Sequence, residues 1–126
     1  GCLRQQLSAQ FAATGRHDWA TCPMTENGVL RIVSNARYPN SPGPPAIVAK
    51  VVEGLRGLPG HAFWPDDISL LDTERVDASR LLTTGQVSDS YLLGLAVAHR
   101  GRLATFDRRL VADAVHGGAA GLHVIG

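Results

Sequence analysis

Apolar residues recur four apart at Leu3, Leu7 and Phe11, so residues 2–13 pattern as a helix with one apolar face, stopped by Gly15. The next apolar run, WATC at 19–22, is short and reads as a strand. Pro23 then stands where a helix can begin without needing an N–H, and that helix runs to about Asn35 with Leu30 and Val33 on its inner side. YPNSPGPP at 38–45 is a loop by composition, and Pro44 and Pro45 open a further helix that ends by Gly57. HAFW at 61–64 is a strand, PDD a turn, and ISLL at 68–71 a short extended apolar stretch. A helix covers roughly 73–82 and is broken by TTGQ at 83–86. Ser88 is placed to N-cap a helix over about 89–100, with Gly101 as its C-cap. RLAT at 102–105 is a strand, RRLVADAVH at 108–116 a helix, and LHVI at 122–125 a closing strand. No repeat or linker divides residues 1–126, and the alternation of strand and helix predicts one α/β domain with a mostly parallel sheet.

This layout gives three acids a shared address. Glu26 in CPMTENGVLR falls in the first turn after strand 19–22, and Asp107 in RLATFDRRL falls just past strand 102–105. Asp89 in QVSDSYLLGLAVAHRG falls in the first turn of its own helix. Sites in parallel sheets gather outside the carboxyl ends of the strands. Any one of these acids alone is better explained by the positive end of a helix dipole. Three at one edge point to a site, and three converging carboxylates repel unless a divalent cation lies among them. An all-carboxylate donor set suits a hard cation, Mg²⁺ or Mn²⁺, and such a cation commonly serves phosphodiester chemistry. Thr25, Ser88 and Thr105 adjoin the acids and are placed to hydrogen-bond them or nearby waters. Helix capping and sheet packing are the simpler account of each of these three residues.

Composition narrows the picture further. Hydrophobic residues are 44% and charged residues 18% of 126, an ordinary globule with enough length for a core. No apolar run approaches the roughly 20 residues of a membrane span, and GCLRQQLSAQ has no signal-peptide core. Cys2 and Cys22 form neither a metal-ligand spacing nor a disulfide framework, which fits a reduced cytoplasmic setting. The net charge is only +1, yet eleven of the twelve basic residues are Arg, the residue that grips phosphate bidentately. Arg100, Arg102, Arg108 and Arg109 crowd around Asp107 as a phosphate-gripping patch; Arg108, with Arg109, is the first choice for a phosphate contact. His17, His61, His99, His116 and His123 show no paired ligand spacing and read as packing or surface residues. No Ser-His-Asp or Cys-His pattern suggests a covalent nucleophile.

Together WATCPMTENGVLRIVSN, HAFWPDDISLLD and GQVSDSYLLGLAVAHRGRLATFDRRL resemble PIN-domain ribonucleases of the VapC toxin type, from about residue 3 onward. The resemblance implies an α/β/α sandwich with a mostly parallel central sheet. It implies an Mg²⁺- or Mn²⁺-dependent endonuclease acting on structured RNA of the transfer or ribosomal class. It implies a toxin neutralised by a cognate antitoxin and commonly a homodimer. Carried over residue by residue, Glu26, Asp89 and Asp107 match acidic metal-site positions. One departure stands out. The family carries its first catalytic Asp on an N-terminal strand, in a pattern like D-x-N, and GCLRQQL aligns with the helix after that strand. Asp18, Asp66 and Asp67 are poorly placed to substitute. The expectation is therefore an N-terminally truncated PIN-like domain, inactive as written, whose parent cuts RNA. The alternative is a degenerate domain that only binds antitoxin or itself.

Overall fold

The computed structural model describes residues 12–13 and 19–125. Strands β1 (Ala12–Ala13), β2 (Trp19–Thr21) and β3 (His61–Phe63) form one sheet in that order. Strands β4 (Leu103–Thr105) and β5 (Leu122–Val124) form a second. β2 runs parallel to β3, and β4 to β5. β1 runs antiparallel to β2 and also lies beside β4. The α/β class and its parallel pairing follow the expectation. The described strands, however, make two ladders rather than one continuous sheet. Of the helix expected over 2–13, Ala12 and Ala13 are strand, and the rest lies outside the described residues, as do Gly15 and the Asp18 weighed above.

Helix α1 spans Pro23–Val33 and begins where Pro23 predicts. Its first turn is held from within. The Thr25 hydroxyl accepts from the Cys22 N–H at 3.0 Å and donates to the Cys22 carbonyl at 3.0 Å. Helix α2, Pro45–Arg56, packs on α1, buries Val48 between them and closes at Gly57.

Helix α3 spans Gly85–Ala98 and starts earlier than Ser88 suggests. The Gln86 side chain accepts from the N–H groups of Leu82 and Thr83 at 2.7 and 3.0 Å, which organises the entry. Ser88 is thus inside the helix and exposed, not its N-cap. At the far end His99 is the cap and Arg100 takes a left-handed backbone, φ 59°. The Gly101 N–H then reaches back to the Ala96 carbonyl at 2.8 Å and the Arg100 N–H to Val97 at 3.1 Å, a Schellman closure. Gly101 follows the cap rather than forming it.

Two expected helices are absent. Residues 73–82 are turns followed by a short 3₁₀ turn, Ala78–Arg80, and residues 108–116 are turns. The reason is nonlocal: Val76 and Val115 pair as an antiparallel bridge, reinforced by Asp77 N–H to Ala114 carbonyl at 2.8 Å and His116 N–H to Arg75 carbonyl at 2.9 Å. Each segment satisfies its backbone against the other instead of coiling on itself. The stretch 68–71 is not a strand either; Ile68 lies against α3 at Gly94. A last helical turn, α4 (Gly118–Gly121), leads into β5.

One apolar core joins both ladders. Ala20 from β2 and Leu103 from β4 meet Leu93, Leu95 and Ala96 of α3, with Trp64, Leu110 and Val115 completing the cluster. Burying several such side chains, each contributing about 1.5–3 kcal/mol, makes α3 the member that holds the two ladders together.

Candidate functional site

Glu26 stands in the first turn of α1, immediately beyond the carboxyl end of β2. Its Oε2 accepts a hydrogen bond from the Thr21 hydroxyl at 2.7 Å and lies 3.4 Å from Arg56 Nε of α2. The Thr21 hydroxyl is also 2.8 Å from His61 Nε2. Trp19 and Thr21 alternate on one face of β2, and His61 and Phe63 on the same face of β3. The Trp19 ring meets His61 edge-on at 4.5 Å, and the Arg56 guanidinium lies over the Phe63 ring at 4.7 Å. Burial holds the His61 imidazole below its ordinary pKa, the nearby Arg56 charge adds to this, and Glu26 opposes it. An apolar cavity of about 180 Å³ runs beside Glu26, walled by Val29 of α1 and Val48, Val52 and Leu55 of α2.

Asp107 lies just past β4, as the pattern predicts. Its N–H donates to the fully buried Thr105 hydroxyl at 3.0 Å, and its carboxylate accepts from the Arg109 backbone N–H at 2.8 Å. That backbone bond, with the Arg109 guanidinium 3.4 Å away, holds the Asp107 carboxyl below its usual range against the opposing effect of burial. Arg108 and Arg109 are both exposed.

Asp89 is half-buried in α3, four residues beyond the helix start. It therefore lies past the first turn, where a helix dipole would account for it. The next residue, Ser90, is fully buried, and its hydroxyl has no hydrogen-bond partner among the described residues. Between the starts of α1 and α3 opens a cleft of about 480 Å³ whose walls include Asn27, Asp66, Ser88 and Tyr91. Burial, then a hydrogen bond with Asp66, pushes the Tyr91 phenol well above its usual range.

Of the three flanking hydroxyls, Thr105 does hydrogen-bond the backbone of its acid, whereas Thr25 serves the α1 cap and Ser88 lines the cleft. Among the described residues no three His, Cys, Asp or Glu side chains gather closely enough to hold a metal ion. Glu26 is engaged by Thr21 and Arg56, and Asp107 by Arg109, so the described arrangement is not a ready cation site. Sequence patterning offers no reason to single out Thr21, His61 or Arg56. Positions 21 and 61 meet through parallel strand register, which has no local signature.

The chain is similar to three proteins of Mycobacterium tuberculosis (strain ATCC 25618 / H37Rv). It is 43% identical to Ribonuclease VapC44 over 102 residues, which are 79% of this chain and 69% of that protein. It is 38% identical to Ribonuclease VapC39 over 113 residues, 90% of this chain and 79% of that protein. It is 35% identical to Ribonuclease VapC29 over 109 residues, 86% of this chain and 75% of that protein. No protein-family model matches the chain, and no solved structure does.

Proposed function

The chain belongs to the VapC ribonuclease family, and we propose on that footing that it is an endoribonuclease, the toxin of a toxin–antitoxin pair, cutting structured RNA of the transfer or ribosomal class. The structural observation that carries this reading is the placement of Glu26 and Asp107. Each follows directly on the carboxyl end of a strand with a parallel neighbour. Glu26 orients the attacking water at the scissile phosphate, and Asp89 and Asp107 complete the acidic set. Exposed Arg108 and Arg109 hold backbone phosphates, which carry most of the affinity for a nucleic acid. A requirement for Mg²⁺ or Mn²⁺ belongs to the proposal because the donor set is all carboxylate.

A cognate antitoxin, a homodimer and a cytoplasmic setting complete the proposal. Ile47 and Val51, one turn apart on α2, expose apolar surface suited to a protein partner. No helix among the described residues is long and apolar enough to cross a membrane. A second reading, a PIN-like domain that binds without cutting, is favoured by one observation: the carboxylates do not gather among the described residues.

The deciding experiment incubates the full protein, extended to the length of its VapC relatives, with a transfer RNA pool in Mg²⁺ and in excess EDTA, beside Glu26→Gln. Cleavage by the wild type in Mg²⁺ alone is the expected result. Equal cleavage in EDTA removes the metal requirement, and no cleavage in either buffer, with antitoxin still bound, leaves the non-cutting reading.

A further inference from the structure

An ionised carboxylate only accepts hydrogen bonds, so the single proton of the Thr21 hydroxyl is committed to Glu26 Oε2, 2.7 Å away. The same hydroxyl oxygen, 2.8 Å from His61 Nε2, must then accept from that nitrogen. If the imidazole lone pair faced Thr21 instead, two acceptors would share one proton, and one contact below 3 Å would be repulsive. The geometry therefore fixes the neutral His61 ring with its proton on Nε2. It also sets a one-way chain: His61 N–H to Thr21 hydroxyl, Thr21 O–H to Glu26. The scaffold beneath it is rigid. Thr21 is nearly fully buried at the end of β2, His61 is locked beside Trp19 by the parallel register, and Arg56 reaches the same Oε2 from α2 while lying over Phe63. The Thr21 hydrogen bond and the Arg56 Nε contact both fall on Oε2.

We propose that Thr21 and His61 are positioning residues for RNA cleavage, holding Glu26 by Oε2 so that it meets the reacting groups through Oε1. The inference rests on the reading of Glu26 as a residue of the cleavage site. His61 acts through Thr21, and Thr21 through Glu26; neither touches the RNA. Burial and the Arg56 charge lower the basicity of His61 while Glu26 opposes them, and the chain itself needs only the N–H on Nε2.

The test pairs disabling and conservative variants in the full protein. Thr21→Val and His61→Phe keep size but remove the hydroxyl or the donor. Thr21→Ser keeps the hydroxyl, and His61→Gln returns an N–H donor close to the Nε2 position. Cleavage of a transfer RNA pool is measured as kcat and KM, with Glu26→Gln as reference. Long-range ¹H–¹⁵N spectra of His61 report which ring nitrogen carries the proton. The expected result is a kcat loss on the order of tenfold to a hundredfold in Thr21→Val and His61→Phe with KM little changed, and substantial recovery in Thr21→Ser and His61→Gln. The spectrum of the wild type should show the proton on Nε2, and that preference should weaken in Thr21→Val. Wild-type kcat in Thr21→Val and His61→Phe, with Glu26→Gln inactive, overturns the positioning role and leaves Glu26 in place. A fully active Glu26→Gln overturns the reading of Glu26 and the positioning role with it. A wild-type spectrum with the proton on Nδ1 overturns the chain even if a variant fails to fold.

Discussion

Asp89 is the acid whose surroundings best separate function from stability. It lies beyond the first turn of α3, so a favourable helix dipole does not explain it, and it is half-buried. Asp89→Asn is therefore expected to remove most RNA cleavage while leaving the melting temperature unchanged or raised. A fall of many degrees in metal-free buffer would mark Asp89 as structural. Arg108 belongs to the same scale and is exposed beside Asp107. If it holds a phosphate, Arg108→Ala weakens RNA binding across sequences and lowers the salt slope by about one contact. An unchanged slope would return it to ordinary solvated charge. The addresses of Glu26 and Asp107 are legible in the sequence because each depends on a local event, a strand ending and a turn beginning. The chain from His61 through Thr21 is not legible, because forty residues separate partners that only strand register unites.

At the scale of elements, α1 and α2 are readable because Pro23 and Pro45 fix where they start and Ser34 and Gly57 sit where they end. The helices expected over 73–82 and 108–116 fail because Val76 and Val115 are each worth more buried against the other segment than on a lone helix face, and helix propensity is a weak preference. Two glycines in helices behave oppositely. Gly54 is exposed in α2 with no atom within 4 Å of an added Cβ, so Gly54→Ala should stabilise by about 0.5–1 kcal/mol. An added Cβ at Gly118 would stand 2.8 Å from the Ala112 carbonyl and 3.1 Å from Leu93, so Gly118→Ala should cost roughly 1–3 kcal/mol. Urea melts of the two variants check both signs. In the 3₁₀ turn, the Ser79 hydroxyl and N–H hold the Asp77 carboxyl below its usual range. A folded pKa below the unfolded one means stability present above about pH 4 and lost as pH falls through the folded value. Ser79→Ala should move the Asp77 titration, followed by carboxyl NMR, upward and shrink that acid-side loss.

The described residues share one core across two ladders, with α3 packed into it. Leu93, Leu95 and Ala96 of α3 share a core with both ladders, so unfolding should be a single cooperative event. Tryptophan fluorescence and far-UV circular dichroism are expected to give one midpoint in urea. Leu93→Ala, at a fully buried position of that helix, should lower both midpoints together by about 2–5 kcal/mol of stability. Separate midpoints would mean that the ladders unfold independently.

The stacking of Trp64 on His99, ring centres 5.1 Å apart and planes 9° from parallel, gives the protein an optical reporter of its own. His99 Nε2 also lies 3.0 Å from the Asp67 carboxylate, in the loop that continues to the cleft at Asp66 and Leu70. Indole emission depends on what touches the ring, and a stacked imidazole quenches it when protonated. Anything that enters the cleft and lifts the loop, whether an RNA strand or a protein partner, should part the two rings and brighten Trp64. Arrival at the cleft can thus be timed in a stopped-flow cell with no dye attached, using Trp64→Phe to subtract the light of Trp19.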